Sequence, residues 1–447
     1  MRSKEFVKMS LERKGKSEIS FRFNCPPRLR KYFLEDVFSI KYSINIHNLD
    51  ESILYIPAVG LIGPIAWATG ADLYLESLDK NFLSSLREIS SIFVNQYPNF
   101  KGGTHYYIPK TPSNQFKGTR SCMLFSAGID SLTTYIRHKD EKPILIHVRG
   151  IDFDRNTSGW RIMQARLLQF TSKEKVHTVF VETNYHDVID PVGEMLLSLD
   201  YKVYEKRNSL DWWAPVSHGL FLISLCAPIM AKFKAKKLYI ASTHTDEFKK
   251  AWGSKPSIDN KIRFADCIVI HDGYELSRQD KIRLLKRYKE YLKFLKSCNY
   301  NAAYNCGKCR KCLYTIAGLV LEGIDPNMCN FINVNDETFS LIKQAILNNM
   351  IDTDDLLFMW RDIQRHIPEN LEYIEKHFGK NVADFYKWLR CINLEDYYSR
   401  KNIRRIAKTI SILLKVAPPF TFHTVRKLLY SRTIHPIIKA MLRLLLL

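Results

Sequence analysis

Two stretches of the chain carry residue types at spacings that chemistry can use. The first is Ser126-Ala127-Gly128-Ile129-Asp130-Ser131, between the apolar run 123–125 and an amphipathic run. Glycine lets a backbone turn sharply and approach a ligand closely. The free N–H groups at a helix start attract an anion. Ser126 and Ser131 add hydroxyl donors, and Asp130 suits either a helix cap or a magnesium ligand. The pattern fits a phosphate-binding loop, but also a plain capped turn, since Ser, Gly and Asp are common turn residues. No GxxxxGK[ST] occurs, which excludes a Walker-type loop.

The second stretch is "SCNYNAAYNCGKCRKC". Cys298, Cys306, Cys309 and Cys312 are spaced C-x7-C-x2-C-x2-C. Four thiolates at short spacing suit tetrahedral zinc, and four protein ligands close the coordination sphere. Such a metal is structural, with free thiols as the alternative. Disulfides do not suit the reducing compartment expected here. The other six cysteines, Cys25, Cys122, Cys226, Cys267, Cys329 and Cys391, are scattered and read as small buried residues.

These sites need elements to position them. From residue 121, strand-like "CMLF", "KPILIHV", "VHTVFVET" and "KKLYIAS" alternate with helical segments. Alternation of this kind predicts an α/β fold with a parallel sheet and helices on both faces, a doubly wound arrangement. Ligands bind such sheets outside the carboxyl ends of the strands, where the Ser126–Ser131 loop falls. The helix after that loop is expected to begin near Asp130 or Ser131. The helix in "WRIMQARLLQFTSK" gathers Ile162, Ala165, Leu168 and Gln169 on nearby faces. Residues 1–117 read as an N-terminal mixed α/β domain. Within it, "SILYI" is strand-like, "KNFLSSLREISSIFVNQY" helical, and "PNFKGGTHYYIPKTPSNQFKGTR" an exposed loop or linker. Residues 118–330 read as one domain that carries both stretches, and 331–447 as a basic helical region.

The loop resembles the pyrophosphate loop of the PP-loop ATP pyrophosphatase superfamily, Ser-Gly-Gly-x-Asp-Ser. Ser126, Gly128, Asp130 and Ser131 match, and Ala127 replaces the first glycine, which it can do if its φ stays negative. Together with the cysteine spacing, the chain resembles an elaborated relative of 7-cyano-7-deazaguanine synthase over residues 121–324. That resemblance implies an adenine nucleotide alpha hydrolase-like sheet, with ATP, Mg2+ and Zn2+ as cofactors. It implies an ATP-dependent ligase that activates a carboxylate as an acyl adenylate, releases pyrophosphate, and forms an amide or nitrile. The substrate would be a small deazaguanine-type or a protein-borne carboxylate. Relatives occur in bacterial anti-phage systems and biosynthetic clusters.

The resemblance assigns Ser126, Asp130 and Ser131 to catalysis. It assigns the whole 126–131 loop, with Ile129, and the strand end His147, Val148 and Arg149 to nucleotide binding. The loop after the fourth strand supplies Asp246, Glu247, Trp252, Lys255 and Asp259 as substrate candidates. Trp252 could stack on a planar base. A surface loop and a structural histidine are the plainer readings. The basic run from His271, "HDGYELSRQDKIRLLKRYKEYLK", begins a helix whose charges read most simply as a solvated face.

The net charge is +21. Ten Lys or Arg and no Asp or Glu fall in residues 401–447. Such a tail fits nucleic acid, an acidic partner protein or an anionic membrane surface, or a solvated helical face. The N-terminal and C-terminal regions are expected to recruit a substrate or partner protein. No apolar run reaches the roughly 18 residues of a membrane span and no secretory signal is recognisable, so a cytoplasmic protein is expected. A tRNA-modifying PP-loop enzyme and a non-catalytic nucleotide-sensing subunit are the alternative functions.

Overall fold

The computed structural model describes residues 6–151, 157–206 and 209–398. The basic tail lies outside them. Among the described residues one 11-stranded sheet runs through the chain. Its strands are β1 (Phe6–Lys14), β2 (Glu18–Asn24), β3 (Val37–Tyr42), β4 (Asp72–Tyr74), β5 (Tyr106–Tyr107), β6 (Arg120–Leu124), β7 (Ile144–Arg149), β8 (Thr178–Thr183), β9 (Ala235–Ala241), β10 (Arg263–Phe264) and β11 (Cys267–Asp272). The order is β10-β11-β9-β6-β7-β8-β3-β2-β1-β4-β5.

The expected parallel strands are present. β11, β9, β6, β7 and β8 pair in parallel, with β6 in the middle. From β6 the chain moves to β7 and β8 on one side, then returns to β9 and β11 on the other. The order therefore reverses beside β6. Sequence reading missed β11. Its "CIVIHD" is short, and its Ile268 is exposed beside the two-residue edge strand β10. The N-terminal strands join the same sheet, where β3 pairs antiparallel with β8 from Ile40↔Thr183 to Tyr42↔Val181.

Alternation along the strands separates two cores. Cys122, Ile144, Ile146, Val179, Val181, Leu238 and Ile240 enter one, together with most buried residues of the N-terminal region. Met123, Phe125, Leu145, Phe180 and Tyr239 enter the other, with the cysteine loop and the C-terminal helices. Those helices, Asp336–Leu347, Asp354–Arg365, Glu372–Phe378 and Lys380–Cys391, follow the expected segments.

One local expectation is corrected, and two are sharpened. "SILYI" lies in the helices Glu51–Leu54 and Ile56–Thr69, because Asp50 caps the first through the Ser52 N–H and every residue of the second is buried. The helix Thr157–Glu174 buries Trp160, Met163, Leu167 and Phe170, whereas Ile162, Ala165, Leu168 and Gln169 face solvent. Both sets have helical spacing, and the larger aromatic surface is the one that packs. The expected exposed loop or linker is mostly irregular and at least partly exposed, yet pinned: Tyr106 and Tyr107 pair with β4, Asn114 Nδ2 donates to Ser52 Oγ and Asp79 Oδ2, and Phe116 is buried.

The helical stretch Trp213–Phe233 is long and apolar enough to cross a membrane, although no uninterrupted apolar run announced it. Most of it is buried in the protein, against the helix Ile56–Thr69. Gly60 is the closest approach: a Cβ there would lie 2.2 Å from Ser224 Oγ and 2.4 Å from Ser224 Cβ. Overpacking of this kind costs about 1–3 kcal/mol. Gly60→Ala should therefore lower the stability by about 2 kcal/mol in urea unfolding, and Ser224→Gly in the same chain should restore part of it.

Candidate functional site

The Ser126–Ser131 loop leaves the carboxyl end of β6, where the strand order reverses. Open parallel sheets hold ligands at such a place. Helix Ile129–His138 starts one residue earlier than expected, with Gly128 as its N-cap. Ala127 has φ +57°, so the condition of a negative φ is not met. The residue adopts the left-handed backbone that glycine takes without strain. Its carbonyl accepts the Lys296 N–H at 2.8 Å, and its methyl group is buried. The two serines close the turn between them. Gly128 N–H donates to Ser126 Oγ at 3.3 Å, and Ser126 N–H to Ser131 Oγ at 3.3 Å. Ser126 Oγ and Ser131 Oγ lie 3.2 Å apart. Both hydroxyls are thus on the loop's own amides, where a phosphate oxygen would compete for the same donors.

Asp130 is not a free carboxylate. Arg278 Nη1 donates to its Oδ2 at 2.9 Å and Lys281 Nζ to its Oδ1 at 3.2 Å. Lys281 Nζ also donates to the Ser242 carbonyl at 2.6 Å. Burial pushes the Asp130 carboxyl up, but the two cations outweigh it and hold it below the usual carboxylate range. Arg278 is shifted the other way. Burial disfavours its charge, and Asp130, with Tyr314 beneath the guanidinium, more than restores it. The basic run is therefore not simply a solvated face, since the side chains of Arg278 and Lys281 are 6% and 1% exposed. Sequence reading passed over both residues. The available signal was their i, i+3 spacing behind the Ser277 capping box, which turns them to one side of the helix Arg278–Lys286.

At the end of β7, His147 is buried. Its Nδ1 lies 2.7 Å from the Phe125 carbonyl, and its ring stacks on Trp160. Arg149 pairs with Glu182 at 3.1 Å and lies over the same indole. His147 and Arg149 thus flank Trp160 beside the loop. Val148 is partly buried against the core.

The five residues after β9 do not share one place. Asp246 and Glu247 are exposed, and Glu247 pairs with Arg365 of the helix Asp354–Arg365 at 2.5 Å. Trp252 is buried among His218, His244 and Phe248, each ring tilted steeply to the indole. Lys255 Nζ donates to the Lys250 carbonyl at 2.6 Å. Asp259 is fully buried and holds His271 and Ser254.

The four cysteines converge: their sulfurs all lie within 4.8 Å of one another. Tetrahedral zinc with Zn–S bonds of ~2.3 Å needs sulfurs roughly 3.8 Å apart. Cys306 and Cys312 are 3.9 Å apart, and Cys298 and Cys309 4.0 Å. Backbone N–H groups of Tyr300, Cys309 and Cys312 point at the sulfurs of Cys298, Cys306 and Cys309, each at 3.4 Å. Buried Asn305 fixes the loop. Its Oδ1 accepts the N–H groups of Ser297 and Cys298, and its Nδ2 donates to the carbonyls of Leu295 and Cys329. The donor set fits a closed metal site. Because Lys296 bonds Ala127, the cysteine loop also braces the turn after β6.

No family model, curated protein or solved structure matches the chain.

Two outcomes are expected. Purified protein should hold one zinc per chain by plasma mass spectrometry, and Cys312→Ser should lose it and unfold at a lower temperature. At position 127, relief of about 1–2 kcal/mol of left-handed strain opposes the loss of a buried methyl group, about 0.8 kcal/mol, and the extra chain entropy of glycine. Ala127→Gly should hence change stability by less than about 1 kcal/mol. Ala127→Val, β-branched and larger, should cost about 2 kcal/mol or more in the same unfolding assay.

Proposed function

We propose that the protein is an ATP-dependent adenylating ligase of the PP-loop type, built on a doubly wound sheet like that of the adenine nucleotide alpha hydrolases. The observation that carries this reading is the convergence of Arg278 and Lys281 on Asp130, at the mouth of a serine- and glycine-built turn beside the strand reversal. Two cations against one carboxylate leave the cluster with one positive charge. A pyrophosphate group would meet the N–H groups of Ser126 and Gly128, the hydroxyls of Ser126 and Ser131, and those cations. The adenine would lie toward His147, Val148 and Arg149.

In the proposed reaction a substrate carboxylate oxygen attacks the α-phosphorus of ATP. The bond to the bridging oxygen breaks, and pyrophosphate leaves. A nitrogen nucleophile then displaces AMP and forms an amide. In a second round the amide oxygen attacks the α-phosphorus of another ATP, pyrophosphate leaves, and loss of the N–H protons with departure of AMP gives the nitrile. The residues above stabilise charge that develops on the departing pyrophosphate. When bound, Mg2+ would share that charge, with Asp130 as its candidate ligand, and Zn2+ would hold the loop 298–312 in shape. The cytoplasm is the proposed location.

A nucleotide-sensing role without turnover draws on the same ion pairs. Asp130 is already neutralised by protein cations, and ATP binding could shift them to phosphate without chemistry. A tRNA substrate rests on the +21 charge. Product analysis separates the three. Zinc-loaded protein with α-labelled ATP, magnesium, ammonium and 7-carboxy-7-deazaguanine should yield AMP and pyrophosphate. Asp130→Asn and Ser131→Ala should each reduce AMP release at least 100-fold. ADP as product would sink the proposal. ATP binding with no product would favour sensing. AMP release that requires tRNA, and falls steeply with salt, would favour the modification enzyme.

A further inference from the structure

Asp259 and His271 stand apart from the loop contacts and carry their own chemistry. His271 Nδ1 lies 2.7 Å from Asp259 Oδ2, with the two side chains 2% and 0% exposed. Ser254 Oγ donates to the same Oδ2 at 2.6 Å. An ionised carboxylate only accepts, so the proton between the pair belongs to Nδ1. In the neutral ring Nε2 is then a bare lone pair. It is buried and finds no hydrogen-bond partner among the described residues. Buried polar atoms are ordinarily satisfied, and an orphan calls for a ligand or a task.

The pair sits at the ligand edge. His271 is the penultimate residue of β11. The next residue, Asp272, accepts the Ser242 N–H at 2.8 Å, and the Ser242 carbonyl accepts Lys281, which bonds Asp130. A short chain of contacts therefore joins the phosphate cations to the strand end that carries His271. Tyr274 packs edge-on against the imidazole at 5.8 Å. Burial, and next the Asp246 carboxylate, push the Tyr274 hydroxyl up.

We propose that His271, oriented by Asp259, is the general base of the nitrogen-transfer half-reaction, and that Asp259 is a positioning residue, not a substrate contact. This rests on the adenylation reading above. The attacking nitrogen forms its bond to the acyl carbon, and the carbon–oxygen bond to AMP breaks with its electron pair on the phosphate. The proton shed by the nitrogen passes to His271 Nε2. Positioned bases of this kind contribute about 10²–10⁴-fold.

Two half-reactions test it on the intact, zinc-loaded protein. With 7-carboxy-7-deazaguanine and MgATP, exchange of labelled pyrophosphate into ATP reports adenylation, and ammonium-dependent AMP release reports nitrogen transfer. His271→Gln and Asp259→Asn should lower the second at least 100-fold and the first less than threefold. Equal loss of both, or loss of neither, would overturn the role of His271 while leaving adenylation standing. Absent exchange in the wild type would overturn the adenylation reading itself, and the nitrogen-transfer role with it. Long-range ¹H–¹⁵N spectra supply a readout free of substrate. The Nδ1–H tautomer of His271 in the wild type, lost in Asp259→Asn, is expected. An Nε2–H tautomer in the wild type would exclude the proposed base.

Discussion

Burying an arginine and a lysine costs several kcal/mol each unless a carboxylate meets them. Asp130 meets both Arg278 and Lys281, and three parts of the chain depend on that meeting. The turn after β6 supplies the carboxylate, and the helix Arg278–Lys286 supplies the cations. Through the Ser242 carbonyl, Lys281 also holds the start of the loop after β9. The helix Asp354–Arg365 braces the arrangement from outside. Asp362 accepts the Gln279 N–H at 2.9 Å, Arg365 reaches Glu247, and Phe358 packs on His244 and Phe248. The C-terminal helices thereby pack against the carboxyl edge of the parallel strands.

The cysteine site works on the same turn from the other side. Four cysteine sulfurs drawn to one point gather residues 298–312, and Asn305 carries that order back to Leu295 and Ser297. Lys296, between them, donates to the carbonyl of left-handed Ala127. Strain at that alanine is sustained because its surroundings over-determine it. A closed metal site would thus shape the turn after β6 through a few hydrogen bonds and a short length of chain.

Much of this was legible in residue order. The loop 126–131 and the four cysteines stood out because their residue types are few in number and closely spaced. Strands β6 to β9 and the C-terminal helices stood out because period-2 and period-3.6 patterns are long there. The limits were equally physical. The helix Thr157–Glu174 has two faces of helical spacing, and only the neighbouring rings show which one is buried. β11 is short and its outer face is exposed, so its pattern is weak. Asp259 ends the helix Pro256–Asp259, and its partner, His271, comes from β11, a pairing that local spacing does not announce. Arg278 and Lys281 looked like solvated charges, since the carboxylate that pairs them is more than 140 positions away in sequence, at Asp130.

By itself, then, the sequence determined the class of fold, the position of the turn after the first parallel strand, and the cysteine set that can hold a metal. These depend on local spacing, which chain geometry reads directly. Only the tertiary structure decided how the N-terminal strands extend the parallel sheet through β3 and β8. It alone decided that Ala127 is left-handed, which cations face Asp130, and that His271 Nε2 is buried without a hydrogen-bond partner among the described residues. Each of these is set by partners remote in sequence, and burial makes the choice of partner worth several kcal/mol, far more than any local preference.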